Sequence, residues 1–376
     1  MLVIASVAKT LFLIFLIVLP LVSYTVYAER RVSALIQDRV GPNRTGFPTS
    51  LLGFKKDLQL FLGGLGQPVA DAMKFMLKEE FTPGHVNKFY FWLAPVLAMV
   101  PALSTLAVLP FGNFLLGQKM VIADVNVGIL YVFAIASIGV YGIVLAGWAS
   151  NSKYPFLGGI RATSQMISYE LSLGLSAVPV LMIIGNLNLS QVVQYQVENG
   201  WLLIPFTNGF TSGAEAIKKI ALWFPIFISF IVFTIAMFAE TNRLPFDLPE
   251  SETELVAGYH TEYAAMKFAL FFLGEYAAMI VGSSLTVVMF LGGWHLPFLP
   301  VNTLESSTSP AGIALGLMHI GVFFGKVAGL LFFFIWIRWT LPRFRFDQLM
   351  KLGWLYLFEI ALVNIFITAV ILAIWK

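Results

Sequence analysis

Residues 220–239 read IALWFPIFISFIVFTIAMFA, twenty positions without a charge. The chain then turns to ETNRLPFDLPESETELVAGYHTEY over 240–263 and is apolar again from Ala264. A helix of about 20 residues crosses the ~30 Å hydrocarbon core of a bilayer, so the first stretch reads as a membrane helix from its length alone. Working outward, runs of the same kind stand at roughly 2–27, 89–115, 125–149, 165–187, 264–295, 313–337 and 353–375. The fold class is therefore all-α: a polytopic membrane protein with about eight transmembrane helices, 1–376 forming a single transmembrane domain. Barrel strands would instead show alternating segments of ~10 residues. Composition agrees, with 59% hydrophobic and 11% charged residues and a mean hydropathy of +0.84.

Several classes are excluded at once. The first run is too long for a cleaved signal peptide and shows no small-residue cleavage site before Glu29-Arg30-Arg31, so it is expected to remain as a helix. Without cysteine there is no disulfide, no haem attached through CxxCH and no cysteine-ligated iron–sulfur cluster. A net charge of +3 makes no case for nucleic acid. His85, His260, His295 and His319 lack metal-ligand spacing, and no metal site is expected.

Most Lys and Arg fall in 28–88, around Lys153 and Arg161, in 240–267 and in 338–351. The positive-inside rule places these segments on the inner side and both termini outside. Residues 28–88 form a long inner loop, in which Leu58, Phe61, Leu62, Leu65, Val69, Met73, Met76 and Leu77 recur at helical spacing. That is an amphipathic interfacial helix, most regular from Pro68 to Glu79. On pattern alone it is an anchor, or one wall of an opening for a lipid-soluble ligand. Segments 188–219 and 296–312, rich in Asn, Gly, Pro and Ser, read as loops without chemistry. No internal repeat is visible.

The acidic inner loop, 240–265, carries Glu240, Asp247, Glu250, Glu252, Glu254 and Glu262, against Arg243 and the nearby Lys267. Glu170 and Glu275 lie within the fourth and sixth apolar runs, roughly 10 and 18 Å deep at ~1.5 Å per residue. Carboxylates near lipid require water, a counter-charge or a proton, and coupled carboxylates exchange protons near neutral pH, as a proton relay requires. Alternatively, Glu170 and Glu275 pair with Lys326 in the seventh helix or bond to neighbouring helices, and Lys326 is either a fixed counter-charge or a relay member. Glu29, Arg30 and Arg39 read individually as interfacial residues, and Arg343, Arg345 and Asp347 as positive-inside residues with a salt bridge. Trp92, Trp148 and Trp339 read as interface anchors.

Taken together, AERR (28–31), QDRVGPNR (37–44), GQPVADAMKFMLKE (66–79), GWASNSKYPFLGGIRATSQMISYE (147–170), the acid cluster, KFALFFLGEYA (267–277) and IRWTLPRFRFDQLMKLGW (337–354) resemble the quinone-site membrane subunit of respiratory complex I, the proton-pumping NADH:quinone oxidoreductase. The resemblance covers nearly the whole chain. It implies a subunit with no cofactor of its own, embedded among other membrane subunits. A docked peripheral arm would carry flavin and iron–sulfur clusters, and quinone would be the substrate. By motif, Arg30, Arg39 and Asp71 would line a quinone tunnel between helix 1, the amphipathic helix and helix 6, with Phe272 at the quinone tail. Glu170, Glu240, Asp247, Glu250, Glu252, Glu254, Glu262 and Glu275 would form a carboxylate route for protons, with Arg243, Lys326, Arg343 and Arg345 as counter-charges. The implied location is a bacterial cytoplasmic membrane or a mitochondrial inner membrane. The chain departs from the family's shortest members by about fifteen extra residues, TSLLGFKKDLQLFLG, before the amphipathic stretch. A free-standing proton or cation transporter, the membrane anchor of a related hydrogenase and an assembly scaffold are the competing readings.

Overall fold

The computed structural model describes residues 11, 17–43, 45, 64–205, 213–250, 252–297, 299–301 and 306–375. In chain order its helices are α1 (Leu19–Ile36), α2 (Gln67–Leu77), α3 (Lys88–Thr105), α4 (Gly128–Ala149), α5 (Lys153–Ile184), α6 (Leu189–Asn199), α7 (Gly213–Glu240), α8 (Glu252–Leu255), α9 (Ala265–Phe290), α10 (Pro310–Thr340), α11 (Phe346–Lys351) and α12 (Phe358–Ile374). The strands Phe114–Leu115 (β1) and Gln118–Lys119 (β2) pair as a small antiparallel hairpin. Among the described residues seven helical spans are long and apolar enough to cross a membrane. The expected first span, 2–27, lies mostly outside the described residues, and its described end is α1. The extra residues 49–63, with Leu58, Phe61 and Leu62, also lie outside them.

The membrane helices are mostly apolar, and small residues decide where α4 and α9 meet α3. Without a hydrophobic difference between protein and lipid, close backbone approach supplies the packing. A methyl group on Gly142 of α4 would stand 2.6 Å from the backbone nitrogen of Ala98, and one on Gly274 of α9 would stand 3.1 Å from the Ala98 carbonyl oxygen. These two glycines let α4 and α9 close on α3.

Helix α5 starts at Lys153, well before the 165 expected from hydropathy. The early turns are polar and glycine-rich, so the apolar run understates the helix. Pro155 falls in the first turn, where its missing N–H costs no helical bond.

Segment 188–219, expected as loop, contains α6. The Asn188 side chain accepts from the backbone N–H groups of Ser190 and Gln191, a side-chain cap. Leu189, Val192, Val193 and Gln196 form its buried face, and Gly200 at φ +94° ends it. Gln196 Nε2 donates to the Val288 carbonyl at 2.7 Å, fixing α6 to the end of α9.

One end of the bundle gathers the loops that carry charge. Asn151 donates to the His85 carbonyl, Arg161 pairs with Glu254, and Arg343 pairs with Asp247. The opposite end holds the hairpin and α6, with the Gly117 N–H donating to Ser307 Oγ.

Candidate functional site: a buried ion cluster and its cavity

After Glu240 ends α7, Asn242 takes a left-handed φ of +51°, a region that Asn tolerates better than most residues. The turn sends Arg243 inward until it is only 4% exposed. Its Nε lies 2.5 Å from Glu275 Oε1 on α9 and its Nη1 3.6 Å from Glu29 Oε2 on α1, with the Tyr276 ring 4.1 Å from the guanidinium carbon. Tyr276 donates its hydroxyl to Glu29 Oε2 at 2.6 Å, and Arg338, in the last turn of α10, pairs with Glu29 Oε1. Burial opposes the Arg243 charge, but the carboxylates of Glu275 and Glu29 more than offset it and hold the guanidinium above its ordinary pKa. Arg243 thus ties the turn to α1 and α9 through charge, and Glu29 extends the cluster to Arg338 of α10.

The rest of the acidic loop folds over this centre. Asp247 is buried against Arg343, Nη2 to Oδ2 2.9 Å. Burial, reinforced by the neighbouring Glu250, pushes its carboxyl up to about 7 against the pull of Arg343. Glu250 is half-buried, 3.9 Å from His260 Nδ1. Glu254 is exposed and pairs with Arg161 at 2.6 Å, while Glu262 is half-buried. Glu252 opens α8, and its side chain lies outside the described residues. Gly258, at φ +58°, permits the fold: a Cβ there would stand 1.7 Å from the Pro249 carbonyl oxygen.

Glu240 and Glu275 line one cavity of about 100 Å³ among α3, α4, α5, α7 and α9. Thr105, Thr241, Asn242 and Tyr259 add polar groups to walls otherwise formed by residues such as Phe133, Met166 and Met237. The space accommodates several waters. Glu240 Oε2 is buried and has no hydrogen-bond partner among the described protein groups. Glu170, half-buried, accepts from Ser137 Oγ on α4 and stands near enough to Glu240 for their charges to interact. Glu170, Glu240, the cavity, Glu275, Arg243 and Glu29 thus succeed one another through the bundle.

On the other side of α9 the ends of α1 and α2 come together. Arg30 of α1 pairs with Asp71 of α2 at 2.8 Å, and Gln67 donates to the other Asp71 oxygen. An aromatic row descends from α2 along α9: Phe75 to Phe268 at 6.3 Å, Phe268 to Phe272 at 5.0 Å, and Phe272 to Tyr276 at 5.9 Å. It ends at the hydroxyl bound to Glu29. Arg39 is exposed beyond α1, and Arg345 is exposed at the start of α11.

Lys326 is placed elsewhere. Its Nζ donates to the carbonyls of Leu291, Gly293 and His295 at 2.7, 2.9 and 2.6 Å and lies 4.1 Å from the Trp201 ring centre. These partners sit at the hairpin end, beyond the C-terminus of α9, whose exposed carbonyls attract a cation. Of the alternatives for Glu170 and Glu275, pairing with Lys326 is therefore corrected, whereas bonding to a neighbouring helix holds for Glu170: Glu275 pairs with Arg243 and Glu170 accepts from Ser137 on α4.

Glu29, Tyr276 and Arg338 complete the cluster, yet none stood out in the sequence. Glu29 lies inside AERR, and its position at a helix end gave it the ordinary interfacial reading. Only the fold turns it inward, to 7% exposure.

Known proteins match almost the whole of this chain. The family model described as NADH dehydrogenase matches residues 8–369. An NADH-quinone oxidoreductase subunit of Geobacter metallireducens is 45% identical over 96% of this chain and 94% of its own length. The corresponding NADH-quinone oxidoreductase subunit from Salinibacter ruber is 45% identical over 92% and 90%, and that from Rhodospirillum centenum 46% over 93% and 89%.

Proposed function

Because this chain belongs to the NADH dehydrogenase family, alongside these membrane subunits of NADH-quinone oxidoreductase, we propose that it forms the quinone entry of that complex and the first part of its proton route. The observation that carries the reading is Arg243, shared between Glu275 on the cavity side and Glu29 on the side of Arg30, Asp71 and the aromatic row. The row and the exposed apolar face of α2, with Met73, Met76 and Leu77, suit a long isoprenoid tail entering from lipid, with Phe272 against it. Arg30 and Asp71 supply polarity toward the headgroup.

Reduction of a quinone to a quinol takes up two electrons and two protons. Any change of charge near Glu29 alters how strongly that carboxylate holds Arg243, and so how much of the guanidinium charge remains for Glu275. Glu275 then gains or loses affinity for a proton. The cavity connects it to Glu240, and Glu240 interacts with Glu170. One electrostatic event is thereby linked to distant sites. The acidic end faces the inner side, where the peripheral arm with its flavin and iron–sulfur clusters docks against the loops of Arg161, Asp247 and Arg343. The remaining membrane subunits receive the proton signal from Glu170.

The test is substitution of Glu170, Glu240 and Glu275 by Gln in the assembled complex. Each change is expected to leave assembly intact and to reduce coupled quinone reduction by roughly 10²-fold, the order for loss of a proton-transfer group. Parental turnover and pumping with all three changed rejects the route. Failure of assembly in each single variant favours a scaffold role.

A further inference from the structure

Gln165 stands on α5, five residues before Glu170, and is fully buried. Its Nε2 donates to the carbonyl of Ala239 in the last turn of α7 at 2.8 Å and to the carbonyl of Phe246 at 2.8 Å, with Asn242 Oδ1 at 3.2 Å. An amide nitrogen carries two hydrogens, so the longest of these contacts shares one. Two of the three partners are carbonyls that only accept, which fixes the nitrogen end of the amide. The next residue, Met166, adds a fourth tie, its sulfur 3.7 Å from Asn242 Nδ2.

The three acceptors fall at the start, middle and end of segment 239–246. Glu240 and Arg243 lie inside that segment and Asp247 follows it. The turn includes the left-handed Asn242, a conformation that costs free energy for a non-glycine residue unless its surroundings hold it. Gln165 supplies that hold from a neighbouring helix. It carries no charge and is not among the residues lining the cavity.

We infer that Gln165 is a positioning residue for the proton route: its amide sets the distance from Glu240, on one side of the turn, to Arg243 and Asp247 on the other. The inference rests on the carboxylate reading above. Misplacement of a reacting group by about 1 Å lowers rates by as much as 10²-fold, so a lost staple acts on turnover without touching quinone.

The experiment compares Gln165→Met, Glu240→Gln and the parent in the purified, assembled complex. It measures kcat and KM for quinone, protons pumped per electron, and NADH oxidation by a soluble acceptor. For Gln165→Met the expected result is a fall in kcat on the order of tenfold to a hundredfold, with KM and soluble-acceptor activity unchanged and fewer protons per electron. Parental kcat and stoichiometry in Gln165→Met, while Glu240→Gln is impaired, overturns the positioning role alone. Parental behaviour in Glu240→Gln overturns the route beneath it. If Gln165→Met does not assemble, Gln165→Asn keeps the amide one methylene short. An assembled Gln165→Asn complex with lowered kcat at unchanged KM supports the inference, and parental kcat overturns it.

Discussion

Arg243 shows how much one side chain decides in a low-dielectric interior. It is buried with two carboxylates and a tyrosine ring around it. Removing one partner of a buried ion pair leaves the others uncompensated, at a cost of about 3–5 kcal/mol. Arg243→Met is therefore expected to lower the thermal midpoint of the assembled complex, measured by loss of coupled activity after heating. Arg243→Lys keeps the charge but cannot reach Glu275 and Glu29 with one planar fork, and its midpoint is expected between those of Arg243→Met and the parent. Asp247 makes a separate prediction. Its carboxyl is pushed up to about 7, chiefly by burial, so it is protonated below that pH and an anion facing Arg343 above it. Infrared difference spectra should show a carboxylic acid carbonyl band disappearing between about pH 6 and 8, and Asp247→Asn should remove that band. Because its pKa is raised on folding, Asp247 favours the folded state at low pH, and that contribution is lost as pH rises through about 7.

At the scale of elements, glycine sets the position of the acidic loop. Gly158 of α5 faces the Tyr259 backbone, where a Cβ would stand 2.7 Å from the nitrogen, and Gly258 faces Pro249. Gly258→Ala must either strain a left-handed residue, at about 1–3 kcal/mol, or move the loop. Coupled quinone reduction is expected to fall while NADH oxidation by a soluble acceptor stays constant, since the displaced loop lies in the membrane subunit. Lys326 holds the far end of α9 through three carbonyls. Lys326→Met is expected to lower the thermal midpoint and leave the pH–rate profile in place. A shifted profile would instead make Lys326 part of the proton route.

At the scale of the whole molecule, the proposed route depends on neighbours. Glu170 lines a groove on the surface of the bundle with Phe133, Ile167 and Leu171, so the isolated chain in liposomes is expected to show no proton transport above background. The complex reconstituted at equal chain density is expected to pump, as followed by a pH-sensitive dye. Transport by the chain alone would favour a free-standing transporter. The existence of the seven described spans, the family motifs and the acidic loop were legible in the sequence, because crossing ~30 Å of hydrocarbon demands unbroken apolar length and charge beside lipid is costly enough to stand out. The early start of α5 and the helix at 189–199 were not, because their polar turns lie outside any apolar run. The partner of each charge was also hidden: Glu29 is 246 positions from Glu275 in sequence, and only helix packing brings both to Arg243. By itself the sequence determined that the protein crosses the membrane and where it concentrates charge, since both follow from local transfer free energy. Tertiary structure alone decided which charges meet, because pairing depends on distances of a few ångströms between helices that are remote along the chain.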